Sequence, residues 1–395
     1  MPSSPARSQA PSTWRTVLTR AAITRLAVGW CAVLLGALAA PLLPPPVPAP
    51  LLIGALAMII GVILWCAFGV VHEAEALAHR LGDPYGTLIL TLSVVVIEVI
   101  LIASVMLGPG DHTTIARDSV MAVSMIILNL VVGMCLVISG LRYGNLPVNR
   151  VGTSAYLVML AVLITTGFAL PAVIGTDGVL GSGQAMVVAT LTIGLYAVFL
   201  WRQTGAQAAD FREAPGMPPS AARPGQDGTD AQAPRRPIGD VVAEHRFELL
   251  ARPALLVATV LPIVLLAQHM ATLLDDGLGR LGAPVALAGV LIALIVFTSE
   301  TLTAVRAARG GEMQRVVNLC HGALVSTVGL TIPTVLVISL LTGQQVVFAE
   351  SPANLLLLAA TLAVSALVGS SPRVGAIHGA VHLMLFAIYG LVLFS

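Results

Sequence analysis

The sequence predicts an all-α polytopic membrane protein of about eleven transmembrane helices, arranged as one plus five plus five with two inverted five-helix repeats. Three observations predict it. Of 395 residues, 57% are hydrophobic and only 10% charged, against about 25% charged in an average soluble domain. The apolar residues gather into runs of roughly 17 to 25, the length that crosses a hydrocarbon core about 30 Å thick. All 20 basic residues are arginine, and they collect on alternate connections between the runs, as positive charge does on the cytoplasmic side of a membrane. An ordinary soluble protein is excluded, and a net charge of +1 leaves no nucleic-acid footprint.

The first run covers about 26–43 and stops at Pro44-Pro45-Pro46, since proline lacks the donor that a helix interior needs. The second to sixth runs cover about 51–78, 86–107, 119–141, 151–174 and 184–201. After a polar stretch, the seventh to eleventh cover about 253–274, 284–308, 315–341, 353–368 and 374–394. The polar stretch holds Pro215, Pro218, Pro219, Pro224, Pro234 and Pro237 among Gly, Ala, Ser and mixed charges, with almost no large apolar residue before Phe247. That is the composition of a flexible linker with at most a short helix near its end, either a plain spacer or a regulatory loop. The chain thus divides into an N-terminal tail with helix 1 (1–50), a first five-helix repeat (51–202), a cytoplasmic linker (203–251) and a second five-helix repeat (252–395).

The arginines orient these runs. With a cytoplasmic N-terminus only Arg117 and Arg280 fall outside, beside Asp111, Asp118, Asp275 and Asp276, so the C-terminus is external and the expected location is the cell's inner (plasma) membrane. Five helices per half is an odd number, so the halves run in opposite directions, as they do in transporters. An alternative for the N-terminus is a secretory signal ending near Ala37-Leu38-Ala39, whose cleavage would remove the first run alone.

Two acids lie within apolar runs. Glu98 stands in GTLILTLSVVVIEVILIA and Glu300 in GVLIALIVFTSETLTAV, each in the second helix of its half. A carboxylate near the bilayer centre costs at least about 2.5 kcal/mol on insertion scales and marks an ion path when it faces a cavity or partner. Oxygen donors cluster around both: Thr298, Ser299, Thr301 and Thr303 beside Glu300, and Thr91 and Ser93 before Glu98. The following helices bring Ser124, Asn129, Asn318, Ser326 and Thr327, although a membrane Ser or Thr also bonds its own backbone. Gly133, Gly322, Gly329 and Pro333 allow close approach or a break that frees carbonyls. Carboxylate, amide and carbonyl oxygens suit a hard cation such as calcium.

The remaining candidates have two readings each. His321 is a proton shuttle or a hydrogen-bonded core residue. His378 and His382, spaced i, i+4, are a metal pair or structural. His72, Glu73, Glu75 and His79, at the cytoplasmic end of the second run, form an acidic entry vestibule or a solvated helix end offset by Arg80. Cys31, Cys66, Cys135 and Cys320 lie in apolar runs without C-x-x-C spacing and read as small packed hydrophobes.

At these residues the chain resembles the bacterial calcium/proton antiporters of the cation/calcium exchanger superfamily. The resemblance is carried by VVHEAEALAHRLGDPYGTLILTLSVVVIEV and by GVLIALIVFTSETLTAVRAARGGEMQRVVNLCHGALVSTVGLTIPTVLV, and in organisation it covers nearly all of the chain from about residue 51. It implies two homologous repeats with one essential acid each. Glu98 and Glu300 would be the paired ion-binding carboxylates, with neutral oxygens from Asn129 and Ser326. The superfamily's G-N-x-x-E is absent, since Val-Val-Ile precedes Glu98 and Phe-Thr-Ser precedes Glu300; Ala323 stands where a serine is common. These departures bear on ion preference.

The expected activity is therefore exchange of calcium for protons by alternating access, both competing for one carboxylate pair, with a sodium- or potassium/proton exchanger as the alternative. No cofactor is called for, and the partners are cations, protons and the lipid bilayer. An enzyme is disfavoured by the lack of H-E-x-x-H, of G-x-S-x-G and of a sizeable soluble domain. A channel is disfavoured because one chain supplies both carboxylates.

Overall fold

The computed structural model describes residues 17–39, 46–81, 95–96, 98–100, 102–103, 106–107, 113–205, 207–211, 238–284 and 286–394. Nearly all of these are helical. Helix α1 is Arg20–Ala39 and α2 is Ala49–Leu81; α3 comprises the helical residues 95–96, 98–100, 102–103 and 106. Helix α4 is Ile115–Tyr143, with a π-helical turn at Ile126–Val131, and α5 is Arg150–Ile174, with a second at Thr165–Ala169. Then come α6 (Ser182–Thr204), α7 (Ile238–Leu281), α8 (Ala286–Val296), α9 (Thr298–Gly310), α10 (Met313–Thr342), α11 (Pro352–Ser370) and α12 (Ala376–Leu393). Two short strands, β1 (Leu146–Pro147) and β2 (Arg373–Val374), pair antiparallel with Leu146 opposite Val374 and tie the α4–α5 connection to the start of α12.

Among the described residues nine helices are long and apolar enough to cross a membrane, or ten if the bent pair α8–α9 is one span. Most of the third expected run, 86–107, lies outside the described residues. The eighth, expected to be continuous, is broken at Phe297, where the two halves meet at 57°. At the break Thr298 Oγ1 donates to the Leu294 carbonyl at 2.7 Å, and Thr301 Oγ1 donates at 2.7 Å to the Phe297 carbonyl, which also accepts from the Thr301 amide at 2.9 Å.

The expected linker is structured at both ends, while 212–237 lies outside the described residues. At its start a 3₁₀ turn, Ala208–Phe211, docks on the bundle. Asn318 Nδ2 donates to the Phe211 carbonyl at 2.5 Å, and the Phe211 ring meets Tyr156 edge-on at 5.1 Å. At its end α7 begins at Ile238.

Buried apolar side chains form two main bodies. The larger joins α3 (Ile102, Met106), α4, α5, α6 and α9–α12 and takes in Ala271 of α7; the smaller joins α1, α2 and α7 through Ala32, Val33, Ile59, Ile63, Cys66, Ile263 and Leu266. Helix α8 contributes to both, with Ala293 in the first and Ile292 in the second. At the centre, α4 and α10 bury 78% and 61% of their most apolar stretch, against 17% for α12. The outer helices present Leu34, Val173, Leu191, Leu356 and Leu391 to the surroundings, as lipid-facing helices do. Helices α4 and α12 meet at Gly133 and Gly379, where a methyl built on Gly379 would stand 2.5 Å from the Gly133 carbonyl oxygen. Small residues at such crossings let backbones pack closely in a medium that offers no hydrophobic drive. All four cysteines are free; Cys66, Cys135 and Cys320 are buried and Cys31 is exposed.

Candidate ion-binding site

The two intramembrane acids are brought together. Glu98, on α3, is 2% exposed, and its Oε2 accepts a hydrogen bond from Thr327 Oγ1 of α10 at 2.5 Å. Its Oε1 is buried with no hydrogen-bond partner among the described residues. Glu300 sits in the first turn of α9, directly after the break, where the positive end of the helix dipole favours a carboxylate. It lies close enough to Glu98 for the two charges to act on one another, and it also acts on Cys320 of α10. A cavity of about 10 Å³ adjoins Glu98, lined by Ser119 and Val123 of α4, Ile292 and Ala293 of α8, and Phe297. The Ser119 hydroxyl is buried there without a hydrogen-bond partner among the described residues; the Thr331 hydroxyl, one turn beyond Thr327 on α10, is likewise buried without one but does not line this cavity. Buried hydroxyls and a half-satisfied carboxylate oxygen form a set of oxygen donors around a void at the lower limit for one water.

Several expected ligands make their bonds elsewhere. Asn129 sits in the π-helical turn of α4, where Nδ2 donates to Thr361 Oγ1 at 2.9 Å and Oδ1 lies 3.1 Å from His382 Nδ1. The wider turn directs the amide to α11 and α12. Ser326 donates to the Gly322 carbonyl and accepts from the Tyr196 hydroxyl, both at 2.9 Å. Its neighbour Thr327, a helix step of about 100° further round, reaches the carboxylate instead. Ser124 bonds back to the Val120 carbonyl at 2.7 Å. Asn318 Oδ1 accepts from Gln314 at 3.0 Å while its amide holds the 3₁₀ turn. Thr298 is spent on the break, and the side chains of Ser299 and Glu75 lie outside those described.

Glu73 corrects the vestibule expectation. It is 3% exposed and pairs with Arg252 of α7 at 2.5 Å, so it faces an ion pair within the bundle and not solvent. His72 beside it is exposed, and the His79 side chain lies outside those described. His321 places Nδ1 3.2 Å from the Val317 carbonyl oxygen. The i, i+4 histidines serve separate partners, since His378 Nδ1 accepts from the Gly375 amide at 3.1 Å while His382 meets Asn129. Sequence reasoning did not single out Ser119 or Thr331, and it counted Thr327 only among nearby oxygens. One signal for Ser119 is Gly289, where a methyl would stand 3.2 Å from the Ser119 nitrogen as α8 crosses α4.

On the opposite side of the bundle from the β1–β2 pair, Arg117 bonds Asp118 Oδ1 through Nε at 2.9 Å and the Ala349 carbonyl through Nη1 at 3.0 Å, with Glu350 Oε1 3.8 Å away. Glu350 Oε2 accepts from Asn354 Nδ2 at 2.8 Å and from the Ser351 amide at 3.0 Å. Burial raises the Glu350 carboxyl above the usual carboxylate range, opposed by the Asn354 hydrogen bond and the Arg117 charge.

The architecture and the sequence both have known counterparts. The chain is 32% identical over 335 residues to the sodium-potassium/proton antiporter ChaA of Escherichia coli, covering 84% of this chain and 87% of that protein. Its fold matches the solved structure of native YfkE with a TM-score of 0.65 at 15% identity, over 94% of this chain and 99% of the other. It matches the H+/Ca2+ exchanger CAX with a TM-score of 0.62 at 15% identity, over 94% and 89%. Residues 51–205 and 252–395 match the family described as sodium/calcium exchanger protein, and the chain belongs to that family of membrane-embedded transporters.

Proposed function

We propose that this protein exchanges calcium for protons across the membrane, with Glu98 and Glu300 as a carboxylate pair that holds either the cation or protons. The observation that carries this reading is a buried Glu98 carboxylate with one oxygen unsatisfied among the described residues, within reach of the charge of Glu300, bonded by the Thr327 hydroxyl and sharing a small cavity with that of Ser119. Two like charges in so dry a place demand a counter-charge. A divalent cation supplies it in one step and two protons supply it in another, so competition for the pair is the coupling. Oxygen-only donors suit calcium, and the 15%-identical YfkE, described as a Ca2+/H+ antiporter, shares the fold.

A monovalent cargo is the second reading, favoured by the similarity to ChaA, whose name gives sodium and potassium. The two packed bodies support alternating access, in which α2 and α7 slide or rock against the rest past the carboxylates. The arginine distribution supports a cytoplasmic N-terminus and an external C-terminus in the inner (plasma) membrane, with five-helix halves of inverted orientation.

Everted vesicles energised with a proton gradient test the reading. Addition of calcium to wild type is expected to release protons, and Glu98→Gln and Glu300→Gln each to abolish that release. Sodium and potassium added in parallel separate the two cargoes. Normal calcium-triggered release from either variant would overturn the assignment.

A further inference from the structure

A second cavity, of about 30 Å³, lies between α4, α5, α10, α11 and α12 and is lined by Thr153, His321, Ser365 and His382 among apolar side chains. On α10 it spans Met313 to His321, about 9 to 21 Å from Thr327 at 1.5 Å per residue. Val148 and Val374 bound it at the β1–β2 pair. It is thus separate from the carboxylate pair and lies between that pair and the arginine-rich end that holds Arg142, Arg150 and Arg373.

The hydrogen bonds decide what the cavity presents. A carbonyl oxygen only accepts, so His321 Nδ1, 3.2 Å from Val317 O, carries the hydrogen and Nε2 keeps a lone pair. His382 Nδ1 faces Asn129 Oδ1, whose amide nitrogen is committed to Thr361, so the same tautomer follows. Neither Nε2 has a hydrogen bond among the described residues. Ser124, Thr259 and Ser326 all bond back to the carbonyl four residues earlier. Ser365, 5% exposed, does not, and its hydroxyl has no partner among the described residues. Two acceptors and one unsatisfied donor therefore border a space of about 30 Å³ that holds two or three waters at about 10–15 Å³ each. A bare metal cation is poorly matched, since no carboxylate among the described residues lines the cavity and buried unpaired charge is costly.

We propose that this cavity binds water bridging His321 Nε2, His382 Nε2 and Ser365 Oγ, and that this water forms a leg of the proton path between the β1–β2 end and the carboxylate pair. The relay rests on the proton-coupled reading above. In each transfer a hydronium that reaches the cavity breaks an O–H as an Nε2–H forms and is left as water, and that Nε2–H breaks in turn as the next water along the path gains the proton, while the His321 Nδ1–H stays hydrogen-bonded to the Val317 carbonyl. The ionisable groups around the histidines are Cys135 on α4, Tyr156 on α5 with its ring 6.2 Å from His321, Cys320 on α10 and His378 on α12. Helix α11 has no ionisable side chain. Thr327, which bonds Glu98, stands six residues beyond His321 on α10, about 9 Å along the axis, so the carboxylate pair lies at the far end of the leg.

Two fluxes in proteoliposomes test this: cation-driven proton release, and isotopic self-exchange of the same cation, which moves no proton. Radioactive calcium is the first probe, followed by sodium and potassium. Ser365→Val fills the cavity and is expected to slow proton release about tenfold or more, with self-exchange kept within twofold; Ser365→Thr, which restores the hydroxyl, is expected to recover it. Val316→Leu fills the same space from α10 and serves if Ser365→Val does not fold. Proton release at the wild-type rate in the filled variants, or an equal loss of both fluxes, overturns the relay. A wild type that self-exchanges cation without releasing protons overturns the antiport reading and the relay with it, and differs from the other outcomes in needing no variant.

Discussion

Thr327 on α10 donates its hydroxyl to Glu98 Oε2 on α3 at 2.5 Å, joining a central helix of the larger packed body to one of the two intramembrane acids. A hydroxyl aimed at a carboxylate supports its negative charge, and such bonds are worth about 1.5–3 kcal/mol. Thr327→Val keeps the volume and removes the donor. Apparent cation affinity at fixed pH is expected to fall roughly 10- to 100-fold, with Thr327→Ser retaining most of it. Titrating cation-triggered proton release in vesicles checks both variants, and an unchanged half-saturating concentration for Thr327→Val would count against the site.

The buried Glu73–Arg252 pair joins α2 to α7. Removing one partner of such a pair leaves an uncompensated charge and costs about 3–5 kcal/mol, whereas replacing both with apolar residues is often neutral. Arg252→Met and Glu73→Met singly are expected to lower the melting temperature markedly, and the double variant to recover most of the loss. Thermal unfolding of the four proteins in detergent, read as a double-mutant cycle, gives the answer; additive losses would mean that the pair is not coupled.

Glu350 links stability to pH. Its carboxyl is raised above the usual range by burial, so the folded state holds the proton more tightly than the unfolded chain. The stabilisation from that proton is complete below the ordinary carboxylate range and is lost as pH rises through the raised value. Melting temperatures of wild type should therefore decline over that window relative to Glu350→Gln, which stays neutral throughout. Parallel curves for the two proteins would remove Glu350 as the cause.

Gly379 crosses Gly133 too closely for a side chain. Gly379→Ala is expected to destabilise by about 1–3 kcal/mol through overpacking, whereas Gly390→Ala on the same helix, where a methyl meets nothing within 4 Å, is expected to be neutral. Equal melting temperatures for the two variants would contradict the close crossing.

The helices and the two acids were legible because an isolated glutamate among aliphatic residues, as in VVVIEVILIA, has few structural explanations. Their oxygen partners were not. Whether a membrane hydroxyl bonds its own backbone, as Ser124 does, or a distant carboxylate, as Thr327 does, depends on helix rotation, and Ser326 and Thr327 differ only by one step of it. The π-helical turn that carries Asn129 toward Thr361 and His382 has no proline or glycine to announce it, and Phe297 breaks its helix without either residue. Glu73 looked solvated because Arg252 lies 179 positions away in the chain. Ser119 stands at the start of a run beside Asp118, where a serine carries no signal of its own.

Helices α2 and α7 have 33 and 44 residues, whereas α11 and α12 have 19 and 18. At 1.5 Å per residue the short pair just matches a hydrocarbon layer of about 30 Å, while the long pair outreaches it. Glu73 stands 24 positions after Ala49, about 36 Å along the axis, near the level of the lipid headgroups. Helices α2 and α7 thus extend past the hydrocarbon layer, whereas α11 and α12 just fill it. A thicker membrane would draw α2 and α7 further into lipid and leave α11 and α12 short, so turnover should depend on acyl-chain length even where the chemistry of the carboxylates is untouched.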